Sequence, residues 1–217
     1  AAVDEEPAED EGFDDDLACG EAALSEDGDY ELVAANEVVD GELGPVCYGE
    51  EDPVLVDAWT ILSDIVPADD LADLGVFAGF DSAEGGDEVT VAFVNMLDDP
   101  DRFQMSVNLE ESQVDPDALT LTLVHEFGHV LTQTPDQLDV DADPDSCPTF
   151  YNGAGCFLEG SLMDEWVSTF WADGEADEVD PFDTSVAGGE ERCAIDSGFF
   201  GPYAASAPEE DFAEALS

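Results

Sequence analysis

The stretch 115-DPDALTLTLVHEFGHVLTQ-133 holds both histidines of the 217-residue chain, four positions apart and with a glutamate directly after the first. Asp115 is placed to cap a helix whose first residue is Pro116. The portion LTLTLV alternates as a strand would, but the whole segment also carries an apolar stripe at helical spacing. This stripe consists of Leu119, Leu123, Phe127, Val130 and Leu131. We therefore predict a helix that presents the two histidines on a face other than its core face.

His125 and His129 have the spacing of two metal ligands on one helix. Residues i and i+4 lie on the same face one turn apart, so the two imidazoles are neighbours. Glu126 lies about 100° further round the helix, close enough to reach a water molecule on the metal without binding the metal. This is the H-E-x-x-H pattern of zinc hydrolases, and Gly128 within it leaves room for close backbone packing. The motif predicts one Zn²⁺ per chain; two surface histidines on a helix are the alternative.

A catalytic zinc has three protein ligands and one water, so a third ligand is needed. A third histidine in the arrangement H-E-x-x-H-x-x-G-x-x-H is excluded, because those positions hold Thr132 and Pro135. A cysteine is possible in principle, although the nearest one follows the motif and is expected in a disulfide. A carboxylate is left, and the sequence contains dozens.

Helical geometry narrows the choice of carboxylate. Glu165 falls on the polar side of a helix predicted over 161-SLMDEWVSTFW-171 and is expected to be solvated. Ser206 and Glu209 have the spacing of an S-x-x-E capping box, which gives Glu209 a structural role. Glu210 and Glu214 then share one face of a C-terminal helix, as a metal ligand and a partner that orients a histidine would. The alternative is a pair of solvated helix acids in a very acidic chain.

The motif and the C-terminal segment together resemble a known family. HEFGH followed downstream by E-x-x-x-E is similar to the gluzincin branch of zinc metallopeptidases, and 203-YAASAPEEDFAEAL-216 resembles catalytic domains of the anthrax lethal factor type. The resemblance implies Glu210 as third zinc ligand, Tyr203 as the hydroxyl that stabilises the oxyanion, and Glu214 as the partner of a ligand histidine. It covers some twenty residues, and 81 positions separate His129 from Glu210, more than is usual in the family.

The resemblance also implies a fold and a reaction. We expect an α+β, zincin-like single domain with the histidine-bearing helix, a small mixed sheet and a C-terminal helix bearing the glutamate. The implied activity is that of an endopeptidase in which Glu126 acts as general base, with a peptide or protein as substrate. By the same analogy, 103-FQMSVNLE-110 is expected as the edge strand beside the active helix. The segment CPTFYNGAGC with the following aromatic helix also resembles secreted bacterial proteins of uncharacterised activity that are grouped with zinc peptidases.

Two other classes of function stay open. The first is a non-catalytic acidic protein, at the surface or secreted, that binds zinc, other cations or partners. The second is a metallohydrolase that acts on something other than peptides, although no phosphate-binding glycine loop supports a particular one.

Charge sets limits on the partners. The chain has 58 acidic residues, two arginines and no lysine, and its formal charge is −56. Such a surface should repel nucleic acid and anionic membranes and attract basic peptides. It indicates either adaptation to high salt or export, and we predict that added salt stabilises the fold. No apolar run approaches the length of a membrane span. We expect a monomer.

Five cysteines are many for a reduced cytosol and favour an extracellular, secreted or cell-surface protein. Cys147 and Cys156 bracket a short loop rich in turn residues, and we predict that they form a disulfide. Cys19 and Cys47 are the second expected pair, which leaves Cys193 free.

The remaining sequence divides into an arm and a domain. Residues 1–30 are expected to be an acidic, disordered N-terminal arm, since the first sixteen include nine acids. Residues 31–217 are expected to form the folded domain. Within it we predict a helix from Asp52 to Pro67 and strands over 88-EVTVAFVN-95 and 103-FQMSVNLE-110.

Overall fold

The structure is a computed structural model that describes Cys19 and residues 30–82, 90–97, 99, 101–172, 174–180 and 186–217. The predicted arm of residues 1–30 lies outside the described residues, apart from Cys19 and Tyr30. In chain order the elements are β1 (Tyr30–Val39), β2 (Glu42–Gly49), α1 (Pro53–Ile65), α2 (Ala68–Leu71), β3 (Leu74–Ser82), β4 (Ala92–Met96), β5 (Phe103–Asn108), α3 (Pro116–Gln133), β6 (Leu138–Asp139), β7 (Cys156–Phe157), α4 (Leu162–Phe170), α5 (Ala187–Ile195) and α6 (Pro208–Leu216). Helices and a mixed sheet confirm the α+β class.

The main sheet has five strands in the order β2-β1-β3-β5-β4. β3 and β5 are parallel, and the other neighbours are antiparallel. The β1–β2 hairpin turns at Asp40 and Gly41, which both have positive φ, the backbone of a tight Asp-Gly hairpin turn. A side chain at Gly41 would also collide with the carbonyl oxygen of Ala68. Strands β1, β2 and β3 were not predicted from the sequence.

The expectation that residues 103–110 form the edge strand is wrong. β5 pairs with β3 on one side and with β4 on the other, and all six of its residues are buried. It is an interior strand because it pairs along both of its edges. The sheet edge next to α3 is β4, whose residues fall within the predicted strand 88–95 and one position beyond it.

Helices α1 and α3 cover one face of the sheet. Asp52 caps α1 by accepting hydrogen bonds from the amides of Val54 and Leu55, and Pro53 is its first residue. Asp115 caps α3 in the same way, as predicted. The apolar stripes of both helices join the sheet residues in one core, which includes Leu55, Trp59, Leu62, Phe77, Met105, Leu119, Leu123, Phe127 and Val130.

The chain after α3 builds a second, smaller core. Its centre is formed by Leu138, Phe150, Phe157, Met163 and Trp171. Both predicted disulfides, Cys19–Cys47 and Cys147–Cys156, are present, and Cys193 is free. The last helix, α6, packs on α3 and α4. None of the helices in the described parts of the chain is both long enough and apolar enough to pass through a membrane.

Candidate metal centre

Three side chains from the middle and the C-terminal end of the domain meet at one point. His125 and His129 lie on α3 with their Nε2 atoms 3.3 Å apart. Oε2 of Glu210, on α6, lies 3.1 Å from Nε2 of His125 and 3.7 Å from Nε2 of His129. Within the described residues these three form a group that could hold a metal ion.

The spacing of these atoms fits a small tetrahedral ion. Ligands about 2.0–2.1 Å from a tetrahedral Zn²⁺ are about 3.3 Å from one another. The three observed separations of 3.1, 3.3 and 3.7 Å bracket that value. Two imidazole nitrogens and one carboxylate oxygen are ligands that zinc accepts, and three of them leave the fourth position of a tetrahedron for water. The geometry therefore admits a metal ion and does not identify it.

Glu214 lies beside one of the two histidines. Its Oε1 lies 3.3 Å from Nδ1 of His125, on the opposite side of the ring from Glu210. A carboxylate on this side of the ring favours a proton on Nδ1, the tautomer in which Nε2 is free to bind a metal ion. This is the arrangement in which a histidine binds a metal through Nε2.

Charges around the centre shift the pKa values of its members. Burial alone would lower the pKa of His125, but its hydrogen bond with Glu210 and the charges of Glu210, Glu126 and Glu214 raise it above the usual value. Burial lowers the pKa of His129. Burial opposes ionisation of Glu210, yet the hydrogen bond with His125 and the two imidazoles lower its pKa. Glu210 is therefore the carboxylate of the centre that stays ionised.

Glu126 lies in the wall of a cleft beside the centre. The cleft has a volume of about 650 Å³ and is bounded by Thr90, Val91 and Ala92 at the start of β4 and by His125 and Glu126 on α3. Burial, with a further contribution from the charge of Glu210, raises the pKa of Glu126 to about 8 in the metal-free protein. A partly buried carboxylate with a raised pKa beside a metal-ligand set is typical of a general base or acid.

Tyr203 also reaches the centre. Its ring lies over His125, with centroids 5.8 Å apart and planes inclined by 27°. Its hydroxyl donates a hydrogen bond to Glu210. The ring keeps 47% of its surface accessible and lines the cleft. Partial burial and the charges of Glu210 and Glu126 raise its pKa further above the usual range, so the hydroxyl stays protonated.

The segment that carries Tyr203 is held by an arginine. Arg192, on α5, donates hydrogen bonds to the carbonyl oxygens of Ala205 and Ser206. These two residues lie between Tyr203 and α6, so α5 fixes the turn from which both the tyrosine and Glu210 extend.

Gly128 allows α6 to approach α3 closely. A Cβ placed there would lie 3.2 Å from Cδ1 of Leu216 and 3.3 Å from Cα of Ala213. The room for close backbone packing that the sequence predicted is thus used by the helix that carries Glu210.

Asp211 is a buried carboxylate that sequence reasoning did not identify. It is 5% exposed and accepts hydrogen bonds from the indole Nε1 atoms of Trp166, at 3.0 Å, and Trp171, at 3.1 Å. The indoles come from α4 and from the residue that ends it. These two hydrogen bonds attach α6 to α4 and to the residue that follows it. No sequence signal marks this contact, because the partners are 40 and 45 positions away.

The predicted capping box at Ser206 and Glu209 is wrong. α6 begins at Pro208, its N-cap is Ala207, and no side chain caps it. The hydroxyl of Ser206 instead donates to the carbonyl of Tyr203. The proline explains the difference, because it supplies no amide at the first helical position and sets the helix start one residue later. Glu209 is left in a buried setting, where desolvation raises its pKa to about 7. Glu165, expected to be solvated, is exposed on α4.

Comparison of the chain with protein-family models, with curated proteins and with solved structures found no match.

Proposed function

We propose that this protein is a zinc-dependent endopeptidase. The observation that carries the proposal is the convergence of His125, His129 and Glu210 at ligand spacing beside a cleft that contains Glu126. A metal site with an open coordination position and an adjacent general base is typical of metal-dependent hydrolases, whereas a structural zinc site is closed by four protein ligands. The gluzincin resemblance of the same residues supports peptides as the substrate class.

His125, His129 and Glu210 would hold the ion, and Glu214 would keep His125 in the required tautomer. When bound, a zinc ion supplies Lewis acidity, which lowers the pKa of a water molecule and polarises a carbonyl group. Glu126 would take one proton from the attacking water and deliver it to the leaving nitrogen as the C–N bond breaks. The products are a carboxylate and an amine. Tyr203, protonated at any working pH, would donate a hydrogen bond to the developing oxyanion.

The edge strand offers a place for an extended substrate. β4 pairs only with β5 among the described strands, and the residues at its start line the cleft opposite α3. A peptide added along this edge would form main-chain hydrogen bonds with it. We therefore move the proposed substrate strand from residues 103–110 to β4. The two disulfides favour an oxidising compartment, and we place the reaction outside the cytosol.

The experiment that tests the proposal is the substitution Glu126→Gln. We expect it to retain one zinc per chain, measured by mass spectrometry of the metal, and to lose about 10²–10⁴-fold of the hydrolysis of casein or a peptide library. The matched control is Glu165→Gln, which removes an exposed carboxylate from α4 and should leave both readings unchanged. Undiminished hydrolysis by Glu126→Gln would refute the role of Glu126. Stoichiometric zinc in a wild-type protein that hydrolyses no peptide would favour a non-catalytic function.

A further inference from the structure

A second cavity lies on the other side of the metal centre from the cleft. Its volume is about 340 Å³, and His129 and Glu210 form the wall it shares with the centre. Phe150 and Val179 give it an apolar wall, and Glu209 and Asp180 contribute carboxylates. This volume lies at the lower end of the range for ligand pockets, which is about 300–1,000 Å³. A group in this cavity would therefore sit next to the reacting bond.

Among the described residues the carboxylate of Glu209 has no positively charged partner. Its Oε2 is enclosed and accepts no hydrogen bond, and the neutral side chain of Asn152 bonds to the carboxylate. The chain contains no lysine and only two arginines. Arg102 donates to the carbonyl oxygens of β1 and β3, and Arg192 to those before α6. Both arginines are thus committed to main-chain carbonyls, and Glu209 remains an uncompensated acid in a partly apolar wall.

We infer that this cavity is a substrate subsite for a lysine or arginine side chain, with Glu209 as the residue that determines the preference. The inference rests on the proposed peptidase function. A long basic side chain matches the cavity in both respects, because its methylene groups can pack on Phe150 and Val179 while its charged end approaches Glu209. Glu210 is engaged by the metal centre, and Asp180 lies at the exposed side of the cavity, so Glu209 is the enclosed carboxylate that provides negative charge within it.

A metal ion is a poorer occupant than a basic side chain. In the part of the chain that the structure describes, Glu209 does not belong to any group of three histidine, cysteine or carboxylate ligands. The apolar residues of the cavity also offer no ligand to an ion. Their presence favours an occupant that is apolar along its length and cationic at its end.

Cleavage preference gives the first test. Wild-type protein is incubated with a random peptide library and the new termini are sequenced by mass spectrometry. We expect lysine or arginine to be enriched at one fixed position beside the cleaved bond. Two matched peptides carry arginine or its uncharged isostere citrulline at that position. The kcat/KM of the arginine peptide divided by that of the citrulline peptide should fall about tenfold in Glu209→Gln and stay unchanged in Glu165→Gln. The absence of enrichment, or an equal ratio in Glu209→Gln and wild type, would overturn the inference.

Binding without turnover separates this inference from the proposed function. Zinc-loaded Glu126→Gln protein is titrated with N-acetyl-arginine amide and with N-acetyl-citrulline amide at one salt concentration. We expect tighter binding of the arginine compound, and loss of that difference when Glu209→Gln is added. If this difference is found but no peptide is hydrolysed, the subsite stands and the peptidase function falls. If peptides are hydrolysed but neither experiment shows a preference for the basic group, the function stands and the subsite falls.

Discussion

Substitution of Glu210 by alanine removes the one carboxylate that α6 contributes to the group of candidate metal ligands. Oε2 of Glu210 lies 3.1 Å from His125 and 3.7 Å from His129, and no other carboxylate is part of this group among the described residues. In Glu210→Ala the two histidines remain on α3, so the variant keeps two nitrogen ligands and loses the oxygen ligand.

The magnitude follows from the number of ligands. Zinc sites with four protein ligands have apparent binding free energies of about 10–16 kcal/mol, or about 2.5–4 kcal/mol per ligand. Loss of Glu210 should therefore weaken zinc binding by about 100–1,000-fold. Glu214→Ala removes only the acceptor for Nδ1 of His125, and loss of such a partner typically costs about 10–100-fold. The expected order of zinc affinities is wild type, then Glu214→Ala, then Glu210→Ala.

Competition with a chromophoric chelator measures these affinities. Molar sodium chloride should be present throughout, because a formal charge of −56 attracts divalent cations to the whole surface. Glu165→Ala is the matched control, an exposed glutamate on α4 whose loss should leave the affinity unchanged. A dissociation constant for Glu210→Ala within about threefold of the control would refute the assignment of Glu210 as a ligand.

Three further expectations concern the neighbourhood of the centre. In the metal-free protein the pKa of Glu126 is raised to about 8, so its contribution to stability is complete below about pH 4.5 and is lost as the pH rises to 8. Denaturant titrations should show the stability of Glu126→Gln relative to wild type rising progressively between these two pH values, by up to a few kcal/mol at about pH 8. Asp211→Ala should shift tryptophan fluorescence and weaken zinc binding by about tenfold or more, because it frees the two indoles that tie α6 to α4. Asp211→Asn keeps a hydrogen-bond acceptor and should recover most of the zinc affinity. Equal zinc affinity in Asp211→Ala and wild type would contradict this expectation. Replacing Cys147 and Cys156 by serine opens a loop with a sequence separation of 9 and should lower the free energy of unfolding by about 2.5–3 kcal/mol, whereas Cys193→Ser should leave it unchanged.

Features that depend on neighbours in sequence were predictable. Asp52 and Asp115 each precede a proline and an apolar stripe, and both cap the helices expected of them. His125, Glu126 and His129 are placed by the same local geometry, because a helix brings residues four apart onto one face. The Asp40–Gly41 pair is a local signal of the same kind, and it could have revealed the β1–β2 hairpin.

Features that depend on distant partners were predicted poorly. β3 is buried on both faces and shows no alternation of apolar and polar residues. The sequence FQMSVN of β5 does alternate, yet its polar residues are buried too, and the analogy with zincins wrongly placed this strand at the edge. Glu209 was assigned to a helix cap although packing encloses its carboxylate. The two indoles that bind Asp211 could not be found by any pattern, because hydrogen bonds across 40 residues leave no periodic trace.

The metal centre shows the same division. Helical spacing in the sequence determined that His125 and His129 are neighbours and that Glu126 lies beside them. Which of the chain's 58 acids completes the group was decided by the tertiary structure. α6 can lie against α3 because Gly128 has no side chain, and its orientation is held by Asp211 between two indoles. Only this packing brings Glu210 to the two histidines from 81 positions along the chain. Composition and spacing do not distinguish Glu210 from many other carboxylates, whereas the distances in the folded structure do.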